Sequence, residues 1–416
     1  MKINDRVIKI SLCRACKKDT LRKIISLGPQ PNANSYVLKE NLEKEEIYYP
    51  LDVYFCTNCN FLQLGHEIKP EILFDDYVYV SSTSPIFVKH FLEYAAHIHK
   101  KFDLQKKSLV VDVGSNDGIL LKGFKNLGAS VIGVDPVKEI AAVAEKDGIK
   151  TIKDFFSIKV AKNIERKYGK AQIICANNTF AQISNLDQLL EGVKYLLAKD
   201  GVFIIEVPYL PVMLKNKYFD LIYHEHHSFP AIKPLQTLFN RFGMEIFDVE
   251  GLPVHGGTVR IFVKNKNAKH LLSGSVQKHL NLEKKLKLDN AQTYINFFND
   301  IQHVRLSLLK LLINIKGKNK TIAGYGAPAK GNTLLNYFNI GTETIDFIID
   351  DSSWKQGRFT PGKRIPIVPS SFLNNKKIDY MLILAWNFSE AIIKKNKSFS
   401  DTGGKFIIPF PKPKII

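Results

Sequence analysis

The stretch "SLVVDVGSNDG", residues 108–118, decides the fold of the central part of the chain. Its apolar first half has the length and the β-branched content of a buried strand, and its second half has the glycines of a tight turn. The next residues, "ILLKGFKNLG", have apolar side chains at helical spacing and end at a glycine. A buried strand, a glycine-rich turn and a helix in this order are typical of nucleotide-binding α/β domains.

The alternation of strand and helix continues on the C-terminal side of this stretch. "ASVIGVDP", "AQIICANNTF" and "VFIIEVPYL" are predicted strands, and amphipathic helical patterns separate them. This rhythm predicts a parallel sheet covered by helices. A long helical pattern follows, and a second strand–turn–helix rhythm closes the chain. The predicted parts are an N-terminal module (1–75), a central α/β domain (76–265), a helical bridge (266–318) and a C-terminal Rossmann-like domain (319–416).

The glycine turn resembles the cofactor turn of the class I S-adenosylmethionine methyltransferases. In those enzymes the glycines let the backbone approach the cofactor, and an acidic side chain at the end of the next strand accepts from the ribose hydroxyls. The spacing GSNDG departs from the GxGxxG fingerprint of dinucleotide sites, so an NAD site is disfavoured. The candidate cofactor-binding residues are Asp112, Gly114, Asn116, Asp117, Gly118, Asp135 and Asn177.

Four of the five cysteines form two CxxC pairs, "CRAC" and "CTNC", near the N-terminus. Each pair offers two thiolates from one tight turn, and two such turns complete a tetrahedral zinc site. Cys13, Cys16, Cys56 and Cys59 are therefore the predicted ligands of a structural zinc ion. Because four thiolates leave no open coordination position, we assign the metal no catalytic role.

A second glycine turn, "GYGAPAKGNT" at residues 324–333, opens the C-terminal domain. Backbone amides at the start of a helix bind phosphate well, and Lys330 adds positive charge. Recognition of a diphosphate or nucleotide is favoured over a plain strand–helix turn. The candidate residues are Gly326, Lys330 and Asn332, with Lys355 and Arg358 of "WKQGRF" serving either the diphosphate or a solvated loop.

The stretch "YHEHHSF", residues 223–229, holds a tyrosine, three histidines and a glutamate within seven positions. Histidine titrates near neutral pH and suits general acid–base chemistry. Together, the CxxC pairs, both glycine turns and this stretch make the whole chain resemble the bacterial nucleotide-sugar C-methyltransferases. The resemblance implies an α/β fold: a class I methyltransferase Rossmann-like domain between a small N-terminal zinc module and a C-terminal Rossmann-like domain. It also implies S-adenosylmethionine as cofactor.

In that family the methyl group goes to a ring carbon next to a ketone, on a dTDP-4-keto-deoxysugar. The resemblance makes His226 the general base that forms the enolate, Glu225 the residue that orients or tunes it, and Tyr223 a donor to the enolate oxygen or sugar. His224 and His227 are expected to be structural.

Further substrate contacts follow from the same resemblance. The family often has a histidine where this chain has Gln182, which can hydrogen-bond a sugar but cannot act as a base near neutral pH. "VHGGTVR" resembles a substrate-side segment of the family, with a bulged strand bearing a surface arginine as its plain alternative. The added candidates are Tyr77, Tyr79, Asn178, Gln182, His255 and Arg260.

The composition limits the alternatives. The net charge of +19 comes from scattered lysines, which favours solvated faces over a nucleic-acid partner. No apolar run reaches the roughly 20 residues of a membrane span, and the N-terminus lacks a signal-peptide pattern. We therefore expect a cytoplasmic enzyme, monomer or homodimer, without nucleic-acid or membrane partners. The competing hypotheses are an RNA methyltransferase with a zinc module and a non-catalytic nucleotide-sugar-binding homologue.

Overall fold

The computed structural model describes residues 6–73, 80–83, 85–374 and 376–416, leaving out the side chains of His255 and Asn374. The predicted α/β class is confirmed. The N-terminal module contains β1 (Val7–Lys9), β2 (Leu21–Pro31), β3 (Tyr48–Cys56), β4 (Leu62–Leu64), β5 (His66–Ile68) and α1 (Pro70–Leu73). None of the described helices is both long enough and apolar enough to cross a membrane.

The central domain has the alternating order that the sequence predicts. Its elements are α2 (Pro85–Lys101), β6 (Leu109–Val113), α3 (Ile119–Asn126), β7 (Ser130–Val134), α4 (Lys138–Lys146), β8 (Thr151–Ile152), α5 (Ile158–Tyr168), β9 (Ala171–Asn177), α6 (Leu186–Leu196), β10 (Leu197–Pro208), α7 (Leu210–Asn216), β11 (Ser228–Phe229), α8 (Ile232–Arg241), β12 (Met244–Leu252) and β13 (Thr258–Asn265).

The remaining elements form the bridge and the C-terminal domain. They are α9 (Gly274–Lys285), α10 (Ala291–Lys316), β14 (Ile322–Tyr325), α11 (Ala329–Phe338), β15 (Ile348–Ile349), β16 (Ile367–Val368), β17 (Tyr380–Ile383), α12 (Ser389–Lys395), α13 (Lys397–Asp401), β18 (Lys405–Ile408) and β19 (Lys414–Ile415).

The central sheet has seven strands in the order β12-β13-β10-β9-β6-β7-β8. All neighbours are parallel except β13, which runs antiparallel to both β10 and β12. Every residue of β6 is buried, as expected for an interior strand of a sheet covered on both faces. The turns after β6, β7 and β9 therefore meet at one edge of this sheet, where α/β domains bind their ligands.

Side-chain caps fix where several of these helices begin. Ser157 accepts from the backbone amide of Val160 at the start of α5, and Asn185 accepts from that of Gln188 at the start of α6. The amide of Gln292 donates to the side chain of Asn290 in the same way before α10. Such caps satisfy amides that the first helical turn leaves unpaired.

The sheet of the N-terminal module extends beyond the module itself. Its strand order is β11-β4-β3-β2, so that two residues of the "YHEHHSF" stretch form its fourth strand. The amide of Leu64 also donates to the carbonyl of His227 at 2.9 Å. The predicted catalytic stretch is therefore held on both sides, by its own domain and by the N-terminal module.

A buried ion pair joins the first CxxC pair to the central domain. Arg14, between Cys13 and Cys16, pairs with Glu67 and donates to the carbonyl of Ser184 at 2.7 Å. The hydroxyl of Ser184 donates to Glu67 at 2.6 Å. Since burying a charge is costly unless it is paired and hydrogen-bonded, this network fixes the module against the segment after β9.

The helical bridge packs the C-terminal domain against the rest of the chain. The apolar residues of α10 recur at helical spacing and share one core with strands of the N-terminal module and with the C-terminal sheet. That second sheet has the order β16-β15-β14-β17-β18-β19, parallel except for its last strand. The second predicted Rossmann-like unit is therefore present, and its glycine turn faces the central domain.

Candidate active site

A cavity of about 730 Å³ lies at the carboxyl ends of β6, β7 and β9. Residues of the N-terminal module, the central domain and the C-terminal domain line it together. The predicted residues in its lining are Asp112, Gly114, Asn116, Asp135, Asn177, Asn178, Gln182, Tyr223, Glu225, His226, Lys330 and Lys355. Its size suits a cofactor and a small-molecule substrate side by side.

The glycine turn forms one wall of the cavity. Gly114 and Gly118 both have positive φ, and a Cβ at Gly114 would collide with the side chain of Thr179. The carboxyl group of Asp135 accepts from the amide of Asn116 at 2.8 Å and from the amide of Val137 at 2.9 Å. These bonds shape the turn and leave Asp135 at the cavity edge.

Two buried carboxyl groups in this wall lack a cationic partner. Neither Asp112 nor Asp135 makes an ion pair with any described residue, and burial raises the pKa of both. The Nδ2 atom of Asn177 is also buried without a hydrogen-bond partner, while its Oδ1 accepts from Tyr94 at 3.3 Å. A ligand with cationic groups and hydroxyls, such as S-adenosylmethionine, fits these residues.

Two other predicted cofactor residues lie outside the cavity lining. The carboxyl group of Asp117 accepts from the backbone amide of Ser82 at 3.0 Å, and Gly118 starts α3. The side chain of Asn116 accepts from the amide of Ser81 at 2.9 Å. Both bonds attach the segment before α2 to the turn, so that Asp117 has a structural contact here instead of a place in the lining.

Tyr223 and His226 form a hydrogen-bonded pair in the lining. The Nδ1 atom of His226 lies 2.8 Å from the carbonyl oxygen of Leu221, and its Nε2 atom lies 2.7 Å from the hydroxyl of Tyr223. A carbonyl oxygen only accepts, so Nδ1 carries the proton and Nε2 accepts from Tyr223. Burial lowers the pKa of His226 to about 4, which keeps the imidazole neutral near pH 7.

Glu225 lies beside this pair with a different partner from the expected one. Its carboxyl group accepts from the Nδ2 atom of Asn34 at 2.6 Å, whereas the Nδ1 position of His226 is taken by a backbone carbonyl. Burial raises the pKa of Glu225 to about 7. Glu225 therefore does not orient His226 by a hydrogen bond, and its charge at neutral pH depends on small changes in its surroundings.

Of the other two histidines of the stretch, His224 has structural contacts, whereas His227 lies in the lining of the cavity. The Nε2 atom of His224 lies 3.3 Å from the carbonyl oxygen of Tyr49, and its ring meets the Tyr49 ring edge-on. The ring nitrogens of His227 are buried and have no hydrogen-bond partner among the described residues. Burial lowers the pKa of both side chains, to about 4 for His224 and about 3 for His227.

The C-terminal domain contributes the two lysines of the lining. The ammonium group of Lys330 lies 4.0 Å from the ring centroid of Trp386 and donates to Asn387. Asp220 accepts from the indole N–H of Trp386 at 2.6 Å, and its charge acts on Lys330. Burial lowers the pKa of Lys330 to about 8. Lys355 donates to the carbonyl of Ala327 at 2.8 Å.

Several predicted substrate residues lie away from the cavity lining. Arg260 is buried against Glu206, with 2.8 Å between its Nη2 and the carboxylate, and its guanidinium lies 3.9 Å from the ring centroid of Tyr94. It is therefore neither the surface arginine of the plain alternative nor a residue of the lining. The buried side chain of Asn332 donates to the carbonyl of Ala33 at 2.8 Å.

The remaining predicted residues lie outside the cavity lining or outside the described part of the chain. Gly326 has positive φ and packs against Ala385, and Arg358 lies near the start of β16, where its carbonyl accepts from the amide of Ile367. Tyr77, Tyr79 and the side chain of His255 lie outside the described part of the chain. Sequence analysis missed Asn34, which lines the cavity; no local pattern marks it.

The four cysteines of the two CxxC pairs come together as predicted. Their sulfur atoms all lie within 4.8 Å of one another. Cys13 and Cys59 are 3.5 Å apart, and Cys16 and Cys56 are 3.6 Å apart. Zn–S bonds of about 2.3 Å place sulfurs about 3.8 Å apart in a tetrahedron, so this set fits a zinc ion held by four thiolates.

Known protein families match the N-terminal, central and C-terminal parts of the chain. Three family models match: one described as a putative zinc binding domain (residues 13–74), a methyltransferase domain (residues 87–249) and a C-methyltransferase C-terminal domain (residues 253–411). The C-methyltransferase NovU of Streptomyces niveus is 36% identical over 414 residues, which cover 100% of this chain and 99% of NovU.

Two solved structures match a part of this chain at low similarity. YcgJ of Bacillus subtilis matches 42% of this chain and 97% of its own length, with 16% identity and a TM-score of 0.34. A Thermotoga maritima S-adenosylmethionine-dependent methyltransferase, described as a possible histamine N-methyltransferase, matches 44% of this chain and 92% of its own, with 19% identity and a TM-score of 0.34.

The full-length relative and the three family models agree with the cofactor wall and the cysteine cluster described above. The cofactor is S-adenosylmethionine, for which the residues around Asp112 and Asp135 are suited, and the four cysteines form the metal site of the zinc-binding domain. The chain belongs to the C-methyltransferase family, and it is an S-adenosylmethionine-dependent methyltransferase.

Proposed function

We propose that the substrate is a nucleotide-linked 4-keto-deoxysugar, with dTDP as the favoured nucleotide, and that C3 of the sugar is methylated. The observation that carries this proposal is the Tyr223–His226 pair, which presents a neutral imidazole and a hydroxyl in one cavity with the cofactor wall. A base next to a hydroxyl donor is what enolate formation from a ketone requires.

The proposed reaction begins with the ketone oxygen replacing Nε2 of His226 as the acceptor of the Tyr223 hydroxyl. The freed lone pair of Nε2 then takes the proton from C3. The electron pair of that C–H bond forms the C3–C4 double bond of an enolate, and Tyr223 donates to its oxygen. Bound S-adenosylmethionine would supply the electrophilic methyl group that the enolate carbon takes up; the methyl–sulfur bond would break, and S-adenosylhomocysteine would leave with its electron pair. A negative charge on Glu225 stabilises the imidazolium formed on His226.

The rest of the lining offers contacts for the sugar and its diphosphate. Lys330 and Lys355 are the lysines on the C-terminal side of the cavity, and both attract an anionic substrate. Asn178 and Gln182 follow β9 on the opposite side and offer amide groups to sugar hydroxyls. Because the lysines belong to the C-terminal domain and the amide groups to the central domain, the lining supports a substrate that contacts both domains.

The first test separates proton abstraction from methyl transfer. The protein would be incubated in D₂O with dTDP-4-keto-6-deoxyglucose or its 3-deoxy analogue, without S-adenosylmethionine, and exchange at C3 followed by mass spectrometry. Addition of S-adenosylmethionine should then give a carbon-bound methyl group. His226→Asn should lower both rates about 10²–10⁴-fold, the usual contribution of a positioned general base.

A matched control is His303→Asn on the exposed face of α10, which should leave both rates unchanged. Exchange at C3 without methylation would support the general base but contradict methylation of C3 in this sugar. Tight sugar binding without exchange or methylation would support the non-catalytic homologue. Failure of every nucleotide sugar to bind, together with methylation of RNA, would overturn the proposal in favour of the RNA methyltransferase.

A further inference from the structure

A short segment of the N-terminal module, residues 32–36 with the sequence "NANSY", lies between the other two domains. The carbonyl oxygen of Ala33 accepts from Asn332 at 2.8 Å, and the hydroxyl of Tyr36 donates to the carbonyl oxygen of Ala327. Both partners belong to the C-terminal domain. Since these bonds fix the segment on either side of Asn34, the position of Asn34 is determined by two domains at once.

Asn34 faces the catalytic stretch from this fixed position. Its side-chain amide donates to the Oε1 atom of Glu225 at 2.6 Å, across 191 positions of sequence. Asn34 lines the cavity, and Glu225 is only 1% exposed. Among the described residues, Asn34 is the one side chain that hydrogen-bonds Glu225.

The charge of a buried carboxyl group depends on such a donor. A hydrogen bond from a neutral amide favours the ionised form, whereas burial favours the protonated form. The titratable groups around Glu225 are Tyr36, Tyr223, His226, Lys330 and Lys355. Lys330 donates to Asn387, and Lys355 donates to Ala327 and pairs with Asp350 at 3.8 Å. Asn34 donates directly to the carboxyl group of Glu225, so it favours the ionised form of Glu225.

We propose that Asn34 is a positioning residue of the active site: its amide favours the ionised form of Glu225 and holds the Glu225 side chain in place in the cavity. The proposal rests on the proposed function for the role of Glu225, but its central claim concerns Glu225 alone. It gives the zinc-binding module a direct part in catalysis, because the module would supply the group that sets the charge of a catalytic carboxylate.

The first experiment measures Glu225 without any substrate. Full-length protein carrying ¹³C at the glutamate side-chain carboxyl would be titrated by NMR, with the Glu225 signal assigned by its loss in Glu225→Gln. In the unmodified protein the midpoint is expected near the pKa of about 7. Asn34→Ala should raise this midpoint by about one pH unit, as expected for loss of a hydrogen bond to a charged group.

Asn34→Asp keeps the size of the side chain and replaces the donor by a second carboxyl group. It should raise the midpoint further than Asn34→Ala, because two adjacent carboxylates resist ionising together. This variant also keeps the test open if the alanine variant fails to fold. The matched control is Asn41→Ala, since Asn41 is a half-buried asparagine of the same module without a side-chain hydrogen bond to the described residues. It should leave the midpoint unchanged.

The second experiment connects the titration to activity. The acid limb of kcat/KM for dTDP-4-keto-6-deoxyglucose should move to higher pH with the Glu225 midpoint in both Asn34 variants. A purely structural role would lower kcat/KM without moving the limb. Unchanged midpoints in both variants would overturn the proposal. If this sugar is not methylated at all, the proposed function fails, while the NMR result still decides whether Asn34 sets the charge of Glu225.

Discussion

The molecule contains two glycine turns of the same design, one after β6 and one after β14. At each turn, a carboxyl group at the end of the neighbouring strand accepts hydrogen bonds from two backbone amides. Asp135 accepts from the amides of Asn116 and Val137, and Asp350 accepts from those of Ala327 and Ser352, at 2.6–2.9 Å. The backbone arrangement is thus nearly repeated, but the surroundings of the two turns differ.

The first turn is open to the cavity, whereas the second is largely covered by the protein itself. The carbonyl of Ala327 accepts from both Tyr36 and Lys355, and Asn332 is bound to the N-terminal module. Two residues before the turn glycine, the first strand has Asp112 and the second has Gly324. A strand–turn–helix pattern therefore determines the local backbone shape. Packing and one side chain determine whether a ligand or another domain contacts the turn.

The largest expected effect comes from adding a methyl group to each turn. A Cβ at Gly114 would collide with Thr179 at positive φ, and one at Gly326 would collide with Ala385, also at positive φ. We expect Gly114→Ala to weaken S-adenosylmethionine binding at least about 100-fold, measured by calorimetry, because Gly114 is a predicted cofactor-binding residue and the added Cβ would distort its turn. Gly326→Ala should lower the melting temperature and keep this affinity. Equal losses of affinity in both variants would contradict the distinction between the turns.

The two strand-end carboxylates offer a finer comparison. Asp135→Asn should weaken S-adenosylmethionine binding about 30-fold, or about 2 kcal/mol, because it removes the charged acceptor that we expect to bind the ribose hydroxyls. Asp350→Asn removes the equivalent group from the covered turn, and we expect it to reduce the free energy of unfolding without changing cofactor affinity. Denaturant unfolding and binding titrations on the same preparations would decide between the two outcomes.

Asp112 has no counterpart at the second turn, and it should make the affinity for S-adenosylmethionine depend on pH. Burial, followed by repulsion from Asp135, raises the pKa of Asp112 well above its ordinary value. We expect the cationic amine of the cofactor to bind near Asp112 and to favour its carboxylate form, so that binding releases a proton and affinity rises with pH, by less than about tenfold per unit. Calorimetry in two buffers of different ionisation heat would measure this release. Asp112→Asn should abolish it; release that persists in this variant would assign the proton to another group.

The smallest expected effect is a loss of stability when one hydrogen bond to the second turn is removed. Tyr36→Phe removes only the hydroxyl that donates to Ala327, which should cost about 1 kcal/mol of stability as one buried hydrogen bond. Cofactor affinity should be unchanged. Chemical denaturation would measure the cost, and an exposed tyrosine such as Tyr168, changed to Phe, serves as the control. A loss of cofactor affinity in Tyr36→Phe would mean that the two turns are coupled.

The parts of the fold that sequence analysis predicted are those with local patterns. The buried strand before Gly114, the acidic end of the next strand and the spacing of the CxxC pairs each depend on a few neighbouring residues. Contacts between distant segments have no such pattern. The bond from Asn34 to Glu225 joins residues 191 positions apart, and the bond from Tyr36 to the second turn joins residues 291 positions apart. Arg260 was expected at the substrate, but its buried ion pair with Glu206 arises between adjacent strands.

The fourth strand of the N-terminal sheet also bears on how the chain folds during synthesis. β4 ends at Leu64, but its second neighbour, β11, begins only at Ser228. At about 5–20 residues per second, the ribosome takes on the order of ten seconds to make the residues between them. During that time β4 is an unpaired edge strand, open to other chains. The four cysteines are all synthesised early and can bind zinc at that stage, yet we expect the module to remain prone to aggregation until the "YHEHHSF" stretch is synthesised and completes its sheet.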